Sequence, residues 1–235
     1  MKHIFVWLIS AVAMMSMAPG AISADAVYVG VKNCTKCHKP QGESWSGTAH
    51  AKSFESLKPG AKADAKKAAK LDPEKDYTQD KECLTCHTTG FGEKTGYKVG
   101  MKPGGKKSMG SVNCESCHGA GKLYRAEHGS AQSLMKKKSE PTARGILVEA
   151  GQNFEYEQAC AKCHLSYEGS PYKAAKPPYT PFTPNVDSKY HFEFDKFVRN
   201  GDAMHEHYKL KDIFTGDPVP PIRVELQKTA KDTLK

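Results

Sequence analysis

Hydrophobic positions gather into one block near the start of the chain, residues 4–17, and are thin and scattered afterwards. Preceded by Met1-Lys2-His3 and followed by Ala21-Ile22-Ser23, that block has the layout of a secretory signal, residues 1–23, with cleavage expected before Ala24. It is too short for a spanning helix, which needs about 20 apolar residues. Beyond it the pattern predicts helices over 41–57, 61–71, 122–138, 141–152, 154–164 and 187–208, the last being the longest, with little strand signal. Residues 61–71 are almost all Ala and Lys, so that helix is expected to lie exposed. A Gly/Lys stretch at 90–110 and a Pro-rich stretch at 177–184 cannot continue helices and are expected to be surface loops. The fold class is therefore mainly α with long connecting loops.

Composition adds a difficulty. Residues 24–235 contain 10 Leu, 3 Ile, 10 Val and 8 Phe, which falls below the roughly 20% at which composition alone suggests disorder. Something other than side chains must fill the core.

The cysteines supply it. All eight fall in four Cys-x-x-Cys-His motifs: Cys34/Cys37/His38, Cys83/Cys86/His87, Cys114/Cys117/His118 and Cys160/Cys163/His164. This is the attachment pattern of haem c, in which both thiols form thioethers to the porphyrin and the His becomes an axial iron ligand. Zinc ribbons also pair Cys-x-x-Cys units, and even cysteine counts in secreted chains also signal disulfides. Neither demands the following His four times. Four haems are thus the expected cofactors, each a flat apolar disc that supplies core the side chains lack. Apoprotein is expected to be unfolded or molten, since ligand binding free energy is folding free energy here. No low-complexity linker separates the motifs, so residues 24–235 read as a single domain.

After the four motif histidines, His50, His128, His191, His205 and His207 remain as possible sixth ligands. A second His gives a saturated iron suited to electron transfer. Met101, Met109, Met135 and Met204 are alternative donors, and an iron with no sixth ligand would bind small molecules. His205 and His207 cannot both face one iron if that segment is helical, because residues two apart point to different sides.

The net charge of +9 is offset by two propionates per haem, but the lysines cluster at Lys62, Lys66, Lys67 and Lys70 and at Lys136, Lys137 and Lys138. A basic face of this kind steers encounter with an acidic redox protein. Export makes nucleic acid an unsuitable partner.

Beyond the motifs, several segments carry a family resemblance. They are Trp-Ser-Gly-Thr-Ala-His-Ala-Lys at 45–52, Leu-Asp-Pro at 71–73, Asp-Tyr-Thr-Gln-Asp-Lys at 76–81, Tyr-Glu-Gly-Ser-Pro at 167–171, Pro-Tyr-Thr-Pro-Phe-Thr-Pro at 178–184 and Ala-Met-His-Glu-His-Tyr-Lys-Leu at 203–210. With the four motifs, they resemble the tetrahaem cytochrome c-554 family of ammonia-oxidising bacteria, over nearly all of the chain after residue 23. The resemblance implies a periplasmic electron carrier with closely packed haem pairs. Its donor would be hydroxylamine oxidoreductase, and its acceptor another c-type cytochrome leading to the membrane quinone pool. It further implies that His38 pairs with His128, His118 with His50, and His164 with His205, leaving His191 and His207 without iron. The haem of Cys83 and Cys86 would have His87 alone, its open face covered by Thr180, Pro181 and Phe182.

Two function classes follow. One is a relay with redox proteins as its only partners. The other is an enzyme reducing nitric oxide, or another small nitrogen oxide, at the haem of His87. Asp80 and Glu82 near that site read as ordinary surface acids.

Overall fold

The computed structural model describes residues 26–104, 108–172 and 180–233; the expected signal segment and part of the Pro-rich stretch lie outside them. Among the described residues the chain forms short helices joined by long turns: α1 Val31–Cys34, α2 Lys39–Ser46, α3 Ala63–Ala68, α4 Lys81–His87, α5 Cys114–His118, α6 Lys122–Lys138, α7 Gly145–Glu149, α8 Tyr156–His164, α9 Phe194–Phe197 and α10 Pro221–Thr229. Two-residue strands β1 Thr142–Ala143 and β2 Phe214–Thr215 pair in parallel. None of the described helices is long and apolar enough to cross a membrane.

Each cysteine motif begins, ends or fills a helix, and local chemistry starts two of those helices. Asp80 caps α4 by accepting the N–H groups of Glu82 and Cys83 at 3.0 and 3.4 Å. Asn113 caps α5 by accepting the Glu115 N–H at 2.9 Å. At the other end of α5, Gly119 turns the chain at φ 84°, where a Cβ would come within 2.4 Å of the Gly151 carbonyl oxygen. Helix α1 packs against α5, α5 against α8, and α8 against α4. The motifs therefore stand in one row in the order first, third, fourth, second.

Side-chain core is sparse, as composition requires. Phe54, Leu57, Tyr77, Leu84, Tyr97 and Met109 form one cluster around α4, and Tyr124, Leu147 and Phe154 form another beside α6. Tyr97 and Met109 come from the Gly/Lys stretch expected at the surface, yet both are essentially buried, at 1% and 0% exposure. The stretch folds back because the Thr89 N–H bonds the Met109 carbonyl and the Tyr97 N–H bonds the Thr89 carbonyl, each at 2.9 Å. Gly96 permits this return, since a Cβ there would overlap the Gly90 carbonyl.

Three helix expectations need correction. The helix expected over 41–57 ends at Ser46 and resumes only as a 3-10 turn, Phe54–Leu57. Between them the Thr48 hydroxyl bonds the Trp45 carbonyl at 2.7 Å and accepts from the Ala51 N–H at 3.3 Å, closing a turn that carries His50 away from the axis of α2. The helix expected over 187–208 is replaced by a 3-10 turn, Ser188–Tyr190, then α9 and further turns. Residues 206–209 are held laterally: the Glu206 N–H bonds the Ser44 hydroxyl at 2.8 Å, and His207 and Lys209 bond the backbone of Lys231. The segment 141–152 opens as β1 before becoming α7. Helix α3 forms as expected, but Lys66 on it is only 4% exposed. Its Nζ donates to the Lys58 carbonyl at 2.7 Å and lies 5.3 Å from the centre of the Tyr77 ring, so Lys66 does not belong to the basic face.

Candidate haem-binding sites

The motif imidazoles are drawn inward in pairs. Metal–imidazole bonds are about 2 Å long, so two rings sharing one metal ion have centres roughly 6 Å apart. His38 at the start of α2 and His128 on α6 have ring centres 6.4 Å apart at 66°. His164 at the end of α8 and His50 in the turn after α2 have centres 5.9 Å apart at 67°. His118 lies near His205, whose charge acts on it. The structure thus sets the ring of His38 against that of His128 and the ring of His50 against that of His164, while His205 comes near enough to His118 for its charge to act there; the resemblance implied His50 with His118 and His205 with His164. The cause is the fold of the intervening segments. The turn at Thr48 aims His50 at α8, and the lateral hydrogen bonds at 206–209 deliver His205 to α5.

Hydrogen bonds fix which nitrogen each imidazole can offer. His87 Nδ1 lies 2.8 Å from the Ser53 carbonyl oxygen and 3.0 Å from the Ser56 hydroxyl, leaving Nε2 available. His205 Nδ1 bonds the Glu206 carbonyl at 2.7 Å, and His50 bonds the Ala203 carbonyl. His128 is the exception: Gln152 Oε1 takes its Nε2 at 3.2 Å, leaving Nδ1 as the free nitrogen. Outer partners of this kind orient metal-binding histidines. Ser53, Ser56, Gln152 and the two carbonyls carry no motif, and sequence reasoning had no signal for them.

Burial lowers the pKa of each of these imidazoles. His118 is pushed down to about 3 by burial and then by the charges of His205, Arg223, His38 and His128. His164 is pushed down to about 4 by burial and then by His50 and His87. A neutral imidazole is the form that binds metal.

His87 stands apart. Among the described residues no second histidine ring packs against it as His128 does on His38 and His50 on His164; the histidine that feels its charge is His164, whose ring already meets His50. His191 is exposed. His207 is held through Nε2 by the Val198 carbonyl at 2.6 Å, with its ring 5.8 Å from that of His205. Met109 is enclosed in the core cluster beside Cys83. Thr180 is anchored to the segment after α8, its N–H bonding the Ser166 carbonyl at 2.6 Å. Phe182 packs edge-on against Tyr190 at 5.4 Å. The loop of Thr180, Pro181 and Phe182 is thus built on α8, and α8 in turn packs against α4.

All eight thiols are free, which leaves no disulfide framework. A structural zinc site needs four converging ligands, and among the described residues no three His, Cys, Asp or Glu side chains converge on a metal position. The thiols instead meet across neighbouring motifs: Cys34 hydrogen-bonds Cys114, Cys86 hydrogen-bonds Cys163, and Cys117 and Cys160 lie close enough to interact. Burial pushes Cys117 up to about 12, and burial first, then neighbouring acids, push Cys83 and Cys160 up to about 11.

Cys37 differs from the other motif cysteines in its placement. It is exposed, whereas the other seven are partly buried. The reason is local: α1 ends at Cys34, and the chain turns over Thr35–Cys37, with the Cys37 N–H bonding the Cys34 carbonyl at 3.2 Å. Cys37 is thereby left at the surface, at the outer end of the row, while Cys34 makes the contact with Cys114 on α5.

Seven partly buried thiols, paired neutral imidazoles and a thin side-chain core fit covalently held haem. The sequence motif did not reveal Glu115 inside the third motif. Only 1% exposed, its carboxylate accepts the N–H groups of Val29, Gly30 and Gly121 at 2.9, 2.7 and 2.7 Å, tying the lead-in to α1 onto α5.

Comparisons with known proteins agree with this geometry. Residues 33–119 match the family described as Cytochrome c554 and c-prime. The chain is 49% identical over 226 residues to cytochrome c-554 of Nitrosomonas europaea, spanning 96% of this chain and 95% of that protein. The solved structure of the reduced state of cytochrome c554 from the same organism superposes with a TM-score of 0.83 at 51% identity, covering 89% of this chain and 99% of the other. The helix-rich fold, the cysteine motifs that bind haem c and an identity this high over almost the whole length place the chain in the cytochrome c-554 family of c-type cytochromes.

Proposed function

We propose that the protein is a periplasmic tetrahaem electron carrier, exported by cleavage of residues 1–23 and folded as one domain over 24–235. It accepts electrons from hydroxylamine oxidoreductase and passes them to another c-type cytochrome, and so toward a membrane acceptor in nitrification. Cys34/Cys37, Cys83/Cys86, Cys114/Cys117 and Cys160/Cys163 would hold the haems. His38 with His128, His118 with His205 and His164 with His50 supply paired axial ligands, and His87 serves alone. Haem contributes one-electron chemistry. The polypeptide orients the imidazoles through Ser53, Gln152, Ala203 and Glu206 and excludes water from them.

The observation that carries this reading is the unbroken row of motif helices, α1–α5–α8–α4, with thiols of successive motifs in contact. A row is what relay requires, since each site needs a neighbour on either side. Mixing the holoprotein with hydroxylamine oxidoreductase and hydroxylamine should reduce its haems much faster than hydroxylamine alone. Equal rates would overturn the donor assignment.

One observation favours a second reading, reduction of nitric oxide at the His87 site: His87 has no partner imidazole among the described residues. Consumption of nitric oxide by chemically reduced protein, lost when that site is blocked by cyanide, would establish it.

A further inference from the structure

Helix α10 carries a partly buried cation against the aromatic rings at the start of α8. Arg223 Nη1 donates to the Tyr156 hydroxyl at 2.6 Å, and its guanidinium carbon lies 5.9 and 6.0 Å from the ring centres of Phe154 and Tyr156. Tyr156 in turn meets His118 edge-on at 5.3 Å. The Nε–H of Arg223 is buried and has no hydrogen-bond acceptor among the described residues. Among the described residues no carboxylate forms an ion pair with it, and Glu225 on the same helix is bound by Arg199 at 2.9 Å. The charge of Arg223 is felt at His38 and His128, the first-motif pair, and at His118 and His205, the third-motif pair.

A buried donor without an acceptor is costly. A guanidinium is matched by a planar carboxylate, which can take two of its N–H groups at once. The first and third motifs lie side by side, and haem brings two propionate carboxylates to each. We propose that Arg223 is a haem-binding residue that pairs with propionates of the haems carried by the first and third motifs, its Nε–H among the donors. This rests on the reading of those motifs as haem sites. A fixed positive charge here favours the reduced form and holds the potential of these haems up.

The test uses full-length holoprotein and spectroelectrochemical titration, with intact mass reporting haem content. R223M keeps an apolar stem over Phe154 and Tyr156 but removes charge and donors. It should retain all its haems and lower the midpoint of at least one paired-histidine haem by about tenfold in its reduction equilibrium, ~59 mV for one electron. R223K, which keeps the charge and loses the fork, should show a smaller drop in the same direction. If R223M does not accumulate, that drop in R223K decides the matter. Y156F should leave the midpoints near those of the parent protein. Unchanged midpoints in fully haem-loaded R223M or R223K, or a Y156F shift equal to that of R223M, would overturn the proposal while leaving the haem sites intact. A parent protein whose mass shows no haem at the first and third motifs would overturn both.

Discussion

The imidazoles of His50 and His164 stand with ring centres 5.9 Å apart, although one follows the first cysteine motif and the other ends the fourth. The contact joins segments more than a hundred residues apart, and on the proposed reading it assigns His50 to the fourth motif. His50→Ala should convert one low-spin haem to high-spin, that of Cys160 and Cys163. His205→Ala should convert the haem of Cys114 and Cys117 instead. Electron paramagnetic resonance of each variant, with the affected signal assigned by comparison with His164 and His118 variants, checks the pairing; exchange of the two effects would restore the opposite arrangement.

His87 should be five-coordinate and high-spin in the oxidised protein. His191→Ala and His207→Ala should leave every haem spectrum unchanged, because His191 is exposed and His207 is occupied by the Val198 carbonyl. A native spectrum with only low-spin signals would contradict this, as would altered ligation in either variant.

Lysines of the basic face should act on encounter rate. Association with an acidic redox partner should slow as salt rises, since exposed charges are screened over about 10 Å at 0.1 M. Combined neutralisation of Lys136, Lys137 and Lys138 should flatten that dependence. Lys66→Ala should instead leave the salt dependence unchanged and cost about 1–3 kcal/mol of stability through the unpaired Lys58 carbonyl. Stopped-flow rates and thermal unfolding separate the two effects.

Glu115→Ala should be strongly destabilising, on the order of 3 kcal/mol or more, because it orphans buried N–H groups of Val29, Gly30 and Gly121 together. Glu115→Gln, which retains one acceptor oxygen, should lose less. Thermal unfolding of the two holoproteins reads the difference, at about 2–4 °C per kcal/mol for a chain of this size.

The cofactor was legible in the sequence because thioether attachment demands a fixed local spacing, and four copies of it use every cysteine. The spacing says nothing of depth, however: inside the third motif it gave no sign that Glu115 is buried and holds the chain leading into α1. Helix α6 was also legible, its bounds matching the pattern over 122–138, because its stability is local. The distal histidines were legible only as a set. Which of them meets which motif depends on a turn at Thr48 and on side-to-side bonding of 206–209, contacts between residues far apart in sequence. The missing helix at 187–208 has the same origin: tertiary bonds to Ser44 and Lys231 outweigh a modest local preference. The burial of Lys66 and the inward role of Arg223 were hidden for another reason. Basic residues on helices are usually solvated, and only the packed structure shows which ones are not.

The spatial order of the motifs, first, third, fourth, second, differs from their order of synthesis. Among the motif helices α4 packs chiefly on α8, some seventy residues later in the chain, while Thr89 just beyond α4 meets Ser116 inside the third motif at 2.8 Å. The packing partner of α4 among the motif helices is thus encoded well after it, so the contact between Cys86 and Cys163 closes a long stretch of chain. The first motif can settle against the third earlier. A fragment ending after the third motif would keep α1 with α5 and α4 with the cluster of Phe54, Leu57 and Met109, and would lack the His164 ring that faces His50.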